Sequence, residues 1–227
     1  MVFRSFVLLI AIFMLFEQTS LLAQSKDSFD YQKPGMADRA RYLNQFEQMV
    51  IVELNKVRSD PSKYANIYLA ELLHSYKGKV LITKDHFPVR TKEGVKALEE
   101  CISELKRTAP LPLLVPSPGL SQAARVLVDD QQTSGNVGHS GQRGSTLTSR
   151  VEKYGKWTDQ LAENITYGGH SPQRVVIDLL IDDDQPDRGH RKNILNKSLG
   201  TIGVAVGYHP KYKIMCVMDM AGSFQYK

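Results

Sequence analysis

The sequence predicts an α+β fold, and the prediction rests on three observations. Of the 227 residues, 42% are hydrophobic and 23% are charged, a composition typical of a soluble globular domain. Apolar residues recur at helical spacing through the N-terminal two thirds of the chain. Near the C-terminus, alternating apolar residues in 202–206 and 214–220 flank a short turn, as in an antiparallel hairpin. Helices followed by a late hairpin indicate a single α+β domain.

The chain begins with the pattern of a secretory signal peptide. Arg4 supplies a positive charge, residues 6–16 are apolar, and Ala23 offers a small residue at the cleavage position. We therefore expect residues 1–23 to be a signal peptide, residues 24–43 to be a flexible leader, and the protein to be secreted or periplasmic. The apolar run is shorter than the ~20 residues that cross a bilayer, so we expect no integral span after cleavage. An uncleaved membrane anchor is the alternative.

The main helices are predicted from their apolar faces and their end signals. One apolar face over 46–57 predicts a first helix that stops at Asp60–Pro61, and a second over 95–105 predicts another helix. Ser117–Pro118 and Ser171–Pro172 each place a capping hydroxyl before a proline, which is a signal for the start of a helix. Four helices are therefore expected before the hairpin.

Shorter elements are predicted between these helices. Residues 136–148 form a glycine-rich segment and are expected to be a loop. A short helix is expected over 147–154 and a strand over 161–167, which Gly168–Gly169 ends. A short strand over 79–82 is also compatible with the pattern.

Charge, cysteine content and missing motifs exclude several classes of function. The net charge of +5 comes without a long basic run, so we expect no nucleic-acid partner. Cys101 and Cys216 are the only cysteines, which excludes a cysteine-based structural zinc site and leaves open whether the two form a disulfide. The chain contains no HExxH, G-x-S-x-G or phosphate-binding glycine motif.

Three polar residues in the C-terminal half are candidates for chemistry. His139 lies in the glycine-rich loop, Glu163 lies in the predicted strand, and His190 follows Gly189. Imidazoles and carboxylates are ligands that zinc prefers, and they also transfer protons near neutral pH. Their separations match no metal-binding signature, so these residues alone favour histidines at the surface or satisfied within the core.

Three motifs that contain these residues, taken in chain order, resemble the CAP superfamily. They are Gly138-His139-Ser140, Ala162-Glu163-Asn164-Ile165 and Gly189-His190-Arg191-Lys192-Asn193-Ile194-Leu195. This superfamily comprises the cysteine-rich secretory, antigen 5 and pathogenesis-related 1 proteins, which share the SCP domain. The bacterial secreted members are the more similar ones. The resemblance places a CAP domain at 44–227, with an insertion at about 70–108.

The resemblance implies an α-β-α sandwich with a central antiparallel sheet and a cleft holding two histidines and two acids. His139, Glu163 and His190 match three of these positions. The second acid comes from Asp182, Asp183 or Asp184, and we choose Asp183. The implied metal ligands are therefore His139, Glu163, Asp183 and His190, with zinc as the divalent cation.

Two functions of different class follow from that cleft, and a third reading assigns it none. The first is a binding protein that holds a divalent cation together with a small ligand, a lipid, a peptide or a glycan. The second is a hydrolase, a protease or esterase, in which His139, Glu163 and His190 would be the catalytic residues. A surface protein with a vestigial cleft is the third.

Overall fold

The computed structural model describes residues 29, 40–83 and 88–227. The chain divides into two compact units, Met1–Asp30 and Tyr31–Lys227, and the fold below is that of the second unit. The predicted signal peptide, and all of the predicted leader except residues 29 and 40–43, lie outside the described residues. None of the described helices is long and apolar enough to cross a bilayer.

The described chain contains seven strands and seven α-helices. The strands are β1 Tyr76–Lys77, β2 Val80–Leu81, β3 Val89–Arg90, β4 Val115–Pro116, β5 Gly155–Tyr167, β6 Thr201–His209 and β7 Lys213–Tyr226. The α-helices are α1 Gln45–Ser59, α2 Pro61–Tyr64, α3 Val95–Arg107, α4 Pro118–Ser134, α5 Leu147–Val151, α6 Pro172–Ile181 and α7 Gly189–Ile194. A π-helical turn, Ala65–Leu69, and two 3-10 turns, Ala70–Ser75 and Gln142–Gly144, complete the helical segments.

The central sheet has the strand order β4-β6-β7-β5. Strands β5, β6 and β7 pair antiparallel, and the predicted C-terminal hairpin is β6–β7. The two-residue strand β4 adds a parallel edge to β6, which the alternation of apolar residues does not reveal. Strand β5 therefore lies at the other edge of the sheet.

Helices cover both faces of this sheet, so the α-β-α sandwich is confirmed. Ile165, Ala205 and Val217 are in register across β5, β6 and β7 and pack with α4 in one buried cluster. Asn164 and Met218 face the opposite way, because successive side chains of a strand alternate. Asn164 donates to a backbone carbonyl in α7 on that face, and α1 packs against α6.

The predicted helices form where their capping signals place them. The Ser117 and Ser171 hydroxyls accept N–H bonds that begin α4 and α6, at 3.5 and 3.2 Å. Asn44 and Glu47 form a reciprocal capping box at the start of α1. Helix α7 was not predicted, because its six residues are too few to show a helical period.

The predicted insertion contains structure of its own. Strands β1, β2 and β3 form a small antiparallel sheet, which includes the predicted short strand, and α3 follows it. Cys101 in α3 and Cys216 in β7 are both buried and unpaired. The disulfide that the sequence left open is therefore not formed.

Candidate functional site

The first histidine–carboxylate pair joins the glycine-rich loop to the edge strand β5. His139 Nδ1 lies 2.8 Å from Glu163 Oε1. The His139 side chain is 61% exposed, whereas the Glu163 side chain is only 2% exposed. The carboxylate is therefore part of the protein interior, and the imidazole stands between it and solvent.

Arg150 of α5 holds both members of this pair in place from the buried side. It is completely buried, and its Nη2 donates to Glu163 Oε2 at 2.5 Å. Its Nη1 donates to the backbone carbonyls of His139 at 3.1 Å and Ser145 at 3.2 Å. One guanidinium thus holds the loop that carries His139 and neutralises the acid that orients its ring.

A second acid, Asp219 of β7, lies directly opposite Glu163 in the β5–β7 ladder. Residues opposite one another in a ladder share a face, so both carboxyl groups point toward α4. Asp219 is completely buried, and neither of its oxygens has a hydrogen-bond partner in the described structure. Burial, with the nearby charge of Glu163, raises the pKa of Asp219 well above its usual value.

Glu163 also affects the protonation of His139. The hydrogen bond to Glu163 raises the pKa of His139, although partial burial and the charge of Arg150 act against it. An ionised carboxylate accepts hydrogen bonds and cannot donate them, so Nδ1 of the neutral imidazole carries the proton. Its Nε2 is then the nitrogen with a free lone pair.

The second pair is formed by His190 and Asp182. His190 Nδ1 lies 2.7 Å from Asp182 Oδ1, and the His190 N–H donates to Asp182 Oδ2 at 2.9 Å. Asp182 ends α6 in a left-handed conformation, with φ 55° and ψ 45°. Its side chain is 2% exposed and that of His190 is 24% exposed. Each predicted histidine therefore has one buried carboxylate behind its Nδ1.

The choice of Asp183 as the second acid differs from this geometry. The Asp183 carboxylate accepts the backbone N–H groups of Lys92 at 2.7 Å and Glu93 at 2.9 Å. It thus ties the predicted insertion to the end of α6, and Asp182 takes the place beside His190. The left-handed backbone at Asp182 reverses the chain, which sends these two neighbouring side chains in different directions.

The two pairs approach β5 from opposite faces of the sheet. Glu163 is on the α4 face, and the adjacent Asn164 donates to the His190 carbonyl at 3.0 Å on the other face. Within residues 29, 40–83 and 88–227, no three His, Cys, Asp or Glu side chains are grouped so as to hold one metal ion. The four expected ligands therefore do not form one cluster, and the expected zinc stays a prediction.

The donor groups fit a metal ion, but not as the four direct ligands that the sequence analysis expected. The oxygens of Glu163 and Asp182 already bind protein N–H groups, whereas each histidine keeps Nε2 for another partner. A carboxylate behind Nδ1 is the usual arrangement of a zinc-binding histidine, because it fixes the tautomer and raises the basicity of the ligand. The histidines are thus suited to direct ligation and the acids to support.

Sequence reasoning missed Arg150, Asp219 and the role of Asp182. An arginine in a five-residue helix carries no local sign that it is buried. Asp219 sits in an otherwise apolar strand, where all of its neighbours from 215 to 221 are buried. A charged residue within such an alternating apolar run was the available signal.

Comparison with known proteins identifies a family. The profile of the cysteine-rich secretory protein family, CAP, matches residues 53–220, whereas no curated protein matches the chain. Similar solved structures include an outer surface protein of Borrelia burgdorferi, which is 19% identical with a TM-score of 0.40 and covers 66% of this chain and 100% of its own.

Two further solved structures are similar to this chain. An extracellular SCP-domain protein of Bacillus anthracis is 23% identical with a TM-score of 0.36, over 49% of this chain and 34% of that one. The CAP domain of enterococcal PrgA is 14% identical with a TM-score of 0.37, over 86% of this chain and 88% of that one. The chain thus spans about a third of the Bacillus protein.

Proposed function

Because the chain belongs to the cysteine-rich secretory protein (CAP) family, we propose that it is an extracytoplasmic binding protein. Its two supported histidines, His139 and His190, bind a divalent cation, with zinc preferred. The single observation that carries this proposal is the pairing of each Nδ1 with a buried carboxylate. This pairing leaves both Nε2 atoms available as ligands.

We propose that the two histidines share one ion beside β5, at the edge of the sheet, with their supporting contacts on its two faces. Glu163 holds the His139 ring and the next residue, Asn164, holds the His190 backbone, so both histidines are anchored on one dipeptide. Two imidazoles leave coordination positions open on a zinc ion. Bound zinc supplies a Lewis acid for an anionic or carbonyl oxygen of a peptide, lipid or glycan ligand.

The location of the protein is proposed from its leader and its relatives. The N-terminal sequence has the pattern of a secretory signal. Two of the similar structures are described as an outer surface protein and an extracellular protein. Both support a place outside the cytoplasmic membrane.

Calorimetric titration with Zn²⁺ tests the proposal. We expect wild type to bind one ion and the His139→Ala and His190→Ala variants each to bind it at least about tenfold more weakly, since each loses an imidazole ligand. Glu163→Gln and Asp182→Asn are expected to weaken binding by roughly 10–100-fold, as for other partners of metal ligands.

The matched control is His74→Ala, which removes an exposed histidine from the 3-10 turn Ala70–Ser75. It is expected to bind zinc as wild type does. Zinc binding that survives in the His139→Ala/His190→Ala double variant contradicts the proposal, and so does the absence of any heat with wild type.

The hydrolase is kept as a second candidate because of one specific observation. His139 is exposed, its ring is oriented by Glu163, and its pKa is raised, which are properties of a general base. This candidate requires turnover of p-nitrophenyl acetate or casein that disappears in the double variant. Binding of zinc without such turnover supports the binding protein alone.

A further inference from the structure

Three side chains outside the two histidine–carboxylate pairs hold the loop segment that precedes His139. Gln131 comes from α4, Tyr167 from the end of β5 and His209 from the end of β6. Their polar atoms form hydrogen bonds with the backbone of residues 136–138. They therefore connect the central sheet and α4 to the loop that carries the exposed imidazole.

Gln131 and Tyr167 close a ring of hydrogen bonds around one residue, Gly138. The Gly138 N–H donates to the Tyr167 hydroxyl at 2.8 Å, and this hydroxyl donates to Gln131 Oε1 at 2.8 Å. Gln131 Nε2 donates in turn to the Gly138 carbonyl at 2.6 Å. Both backbone polar groups of the residue before His139 are thus held by side chains.

The backbone conformation of Gly138 is one that favours glycine. Its φ is 95°, and an added Cβ would meet no atom within 4 Å. The glycine is therefore required by its dihedral angle and not by a lack of space. Gly138→Ala would strain the loop backbone without displacing any neighbouring group.

His209 holds the same segment two residues earlier. It is completely buried, and its Nε2 donates to the Asn136 carbonyl at 3.0 Å. Its Nδ1 accepts two backbone N–H groups of the turn between β6 and β7, so the proton of the neutral ring is on Nε2. The ring also packs edge-on against Tyr167, with 5.3 Å between the ring centroids.

The exposure of His139 explains why its loop needs this support. The His139 side chain is 61% exposed, so packing fixes little of its position. Arg150 binds the His139 carbonyl, while Gln131 and His209 bind the carbonyls of residues 138 and 136. Three of the four carbonyls from 136 to 139 are thus bound by buried side chains. A binding site is precise only when the groups behind its ligands are themselves held in place.

The ring and the hydroxyl of Tyr167 have separate roles. The ring packs against the buried cluster beneath α4 that includes Leu127 and Ile165. The hydroxyl bonds instead to Gly138 and Gln131. Burial raises the pKa of Tyr167, so the hydroxyl keeps its proton and can donate at neutral pH. Removing the oxygen alone therefore releases the loop and leaves the packing in place.

We propose that Gln131 and Tyr167 are positioning residues for His139. They hold the loop so that the imidazole stays against Glu163, with its Nε2 free for a ligand. This role rests on the proposed function, because it takes His139 to be a ligand of the cation. His190 is held from the other face of the sheet, so its position should not depend on these two residues.

Tyr167→Phe and Gln131→Met test this role by calorimetric titration with Zn²⁺. We expect each to weaken zinc binding by about threefold to tenfold, because the loss of hydrogen bonds to the loop lets the His139 ring leave its position. The matched controls are Tyr226→Phe and Gln122→Met. Gln122, near the start of α4, donates to the Tyr226 hydroxyl of β7 at 3.0 Å, which is the same kind of contact between α4 and a strand. Both controls should bind zinc as wild type does.

The ring ¹⁵N chemical shifts of His139 in the metal-free protein give a readout that a general loss of stability does not move. They distinguish a proton on Nδ1, which the bond to Glu163 requires, from a proton on Nε2. At a pH where the ring is neutral, we expect the Nδ1–H form in wild type and a mixture of the two forms in Tyr167→Phe and Gln131→Met. The ring shifts of His190 should stay as in wild type.

Two results separate this role from the proposed function. If wild type binds zinc and Tyr167→Phe binds it equally well, the positioning role is overturned and the zinc site stands; equal weakening in the two controls also overturns the role. If wild type gives no heat with zinc, the proposed function fails, and the His139 tautomer still decides the positioning role.

An unchanged tautomer in Tyr167→Phe or in Gly138→Ala overturns the role. Tyr167→Phe keeps the buried ring, so it decides the question if Gln131→Met does not fold.

Discussion

Arg150 is the residue whose removal tests the architecture of the site most directly. The change to Met keeps most of the side-chain volume but removes a guanidinium that is completely buried. It breaks the 2.5 Å ion pair to Glu163 and the bonds to the carbonyls of His139 and Ser145. Glu163, only 2% exposed, then keeps its hydrogen bond to His139 but loses its ion pair with Arg150, and it still lies opposite Asp219.

The expected loss of stability follows from the cost of leaving one member of a buried ion pair without its partner. Removing one member of such a pair typically costs about 3–5 kcal/mol, so we expect Arg150→Met to lower the free energy of unfolding by this amount. Removing both charges in Arg150→Met/Glu163→Gln leaves no uncompensated ion. The double variant should therefore be less destabilised than the sum of the single variants, with a coupling of at least about 2 kcal/mol.

Urea unfolding at neutral pH measures these differences. The midpoint should fall in Arg150→Met without a change in the dependence on urea, because the compactness of the folded state is kept. Arg107→Met, at an exposed site, is the matched control and should stay within about 0.5 kcal/mol of wild type. A loss below about 1 kcal/mol in Arg150→Met, or additive effects in the double variant, would refute the role assigned to this ion pair.

Two further variants test the sheet beneath the site. Because the folded-state pKa of Asp219 is raised, its contribution to stability is present at low pH and is lost as the pH rises through that pKa. Asp219→Asn should therefore be about 1–3 kcal/mol more stable than wild type in urea at pH 7 and lose this advantage on acidification; a constant difference from pH 3 to 8 would contradict this. Gly203→Ala would place a Cβ 2.0 Å from backbone atoms of Leu120 and Ser121, so α4 must move away from the sheet, at a cost of about 3 kcal/mol. A thermal midpoint equal to that of wild type would show that α4 accommodates the methyl group.

The elements that the sequence predicted well are those with local signals. Ser117–Pro118 and Ser171–Pro172 determine the starts of α4 and α6 through a hydroxyl cap and a fixed proline dihedral, both of which act within one turn. The hairpin β6–β7 follows from a period of two on either side of a turn. His139, Glu163 and His190 were predicted as site residues because each belongs to a motif that resembles those of the family.

The choice between adjacent aspartates could not be predicted, because it depends on residues far away in the chain. Asp183 accepts hydrogen bonds from backbone N–H groups of residues about 90 positions earlier in the chain. Asp182 faces His190 because its own backbone is left-handed, a conformation that sequence pattern does not report for an aspartate. The shared face of Glu163 and Asp219 likewise depends on the β5–β7 register, which neither strand determines alone.

The segment at about 70–108, predicted as an insertion, supports the second histidine. Glu93, just before α3, binds Arg188 Nη2 at 2.6 Å, and Arg188 Nη1 donates to the Asp182 carbonyl at 2.8 Å. Arg191, which follows His190 and is completely buried, pairs with two glutamates of α3. Deleting the segment would leave the Arg191 guanidinium without these anions, which is costly for a buried charge. The segment therefore helps to hold Asp182 and the helix that carries His190 in place.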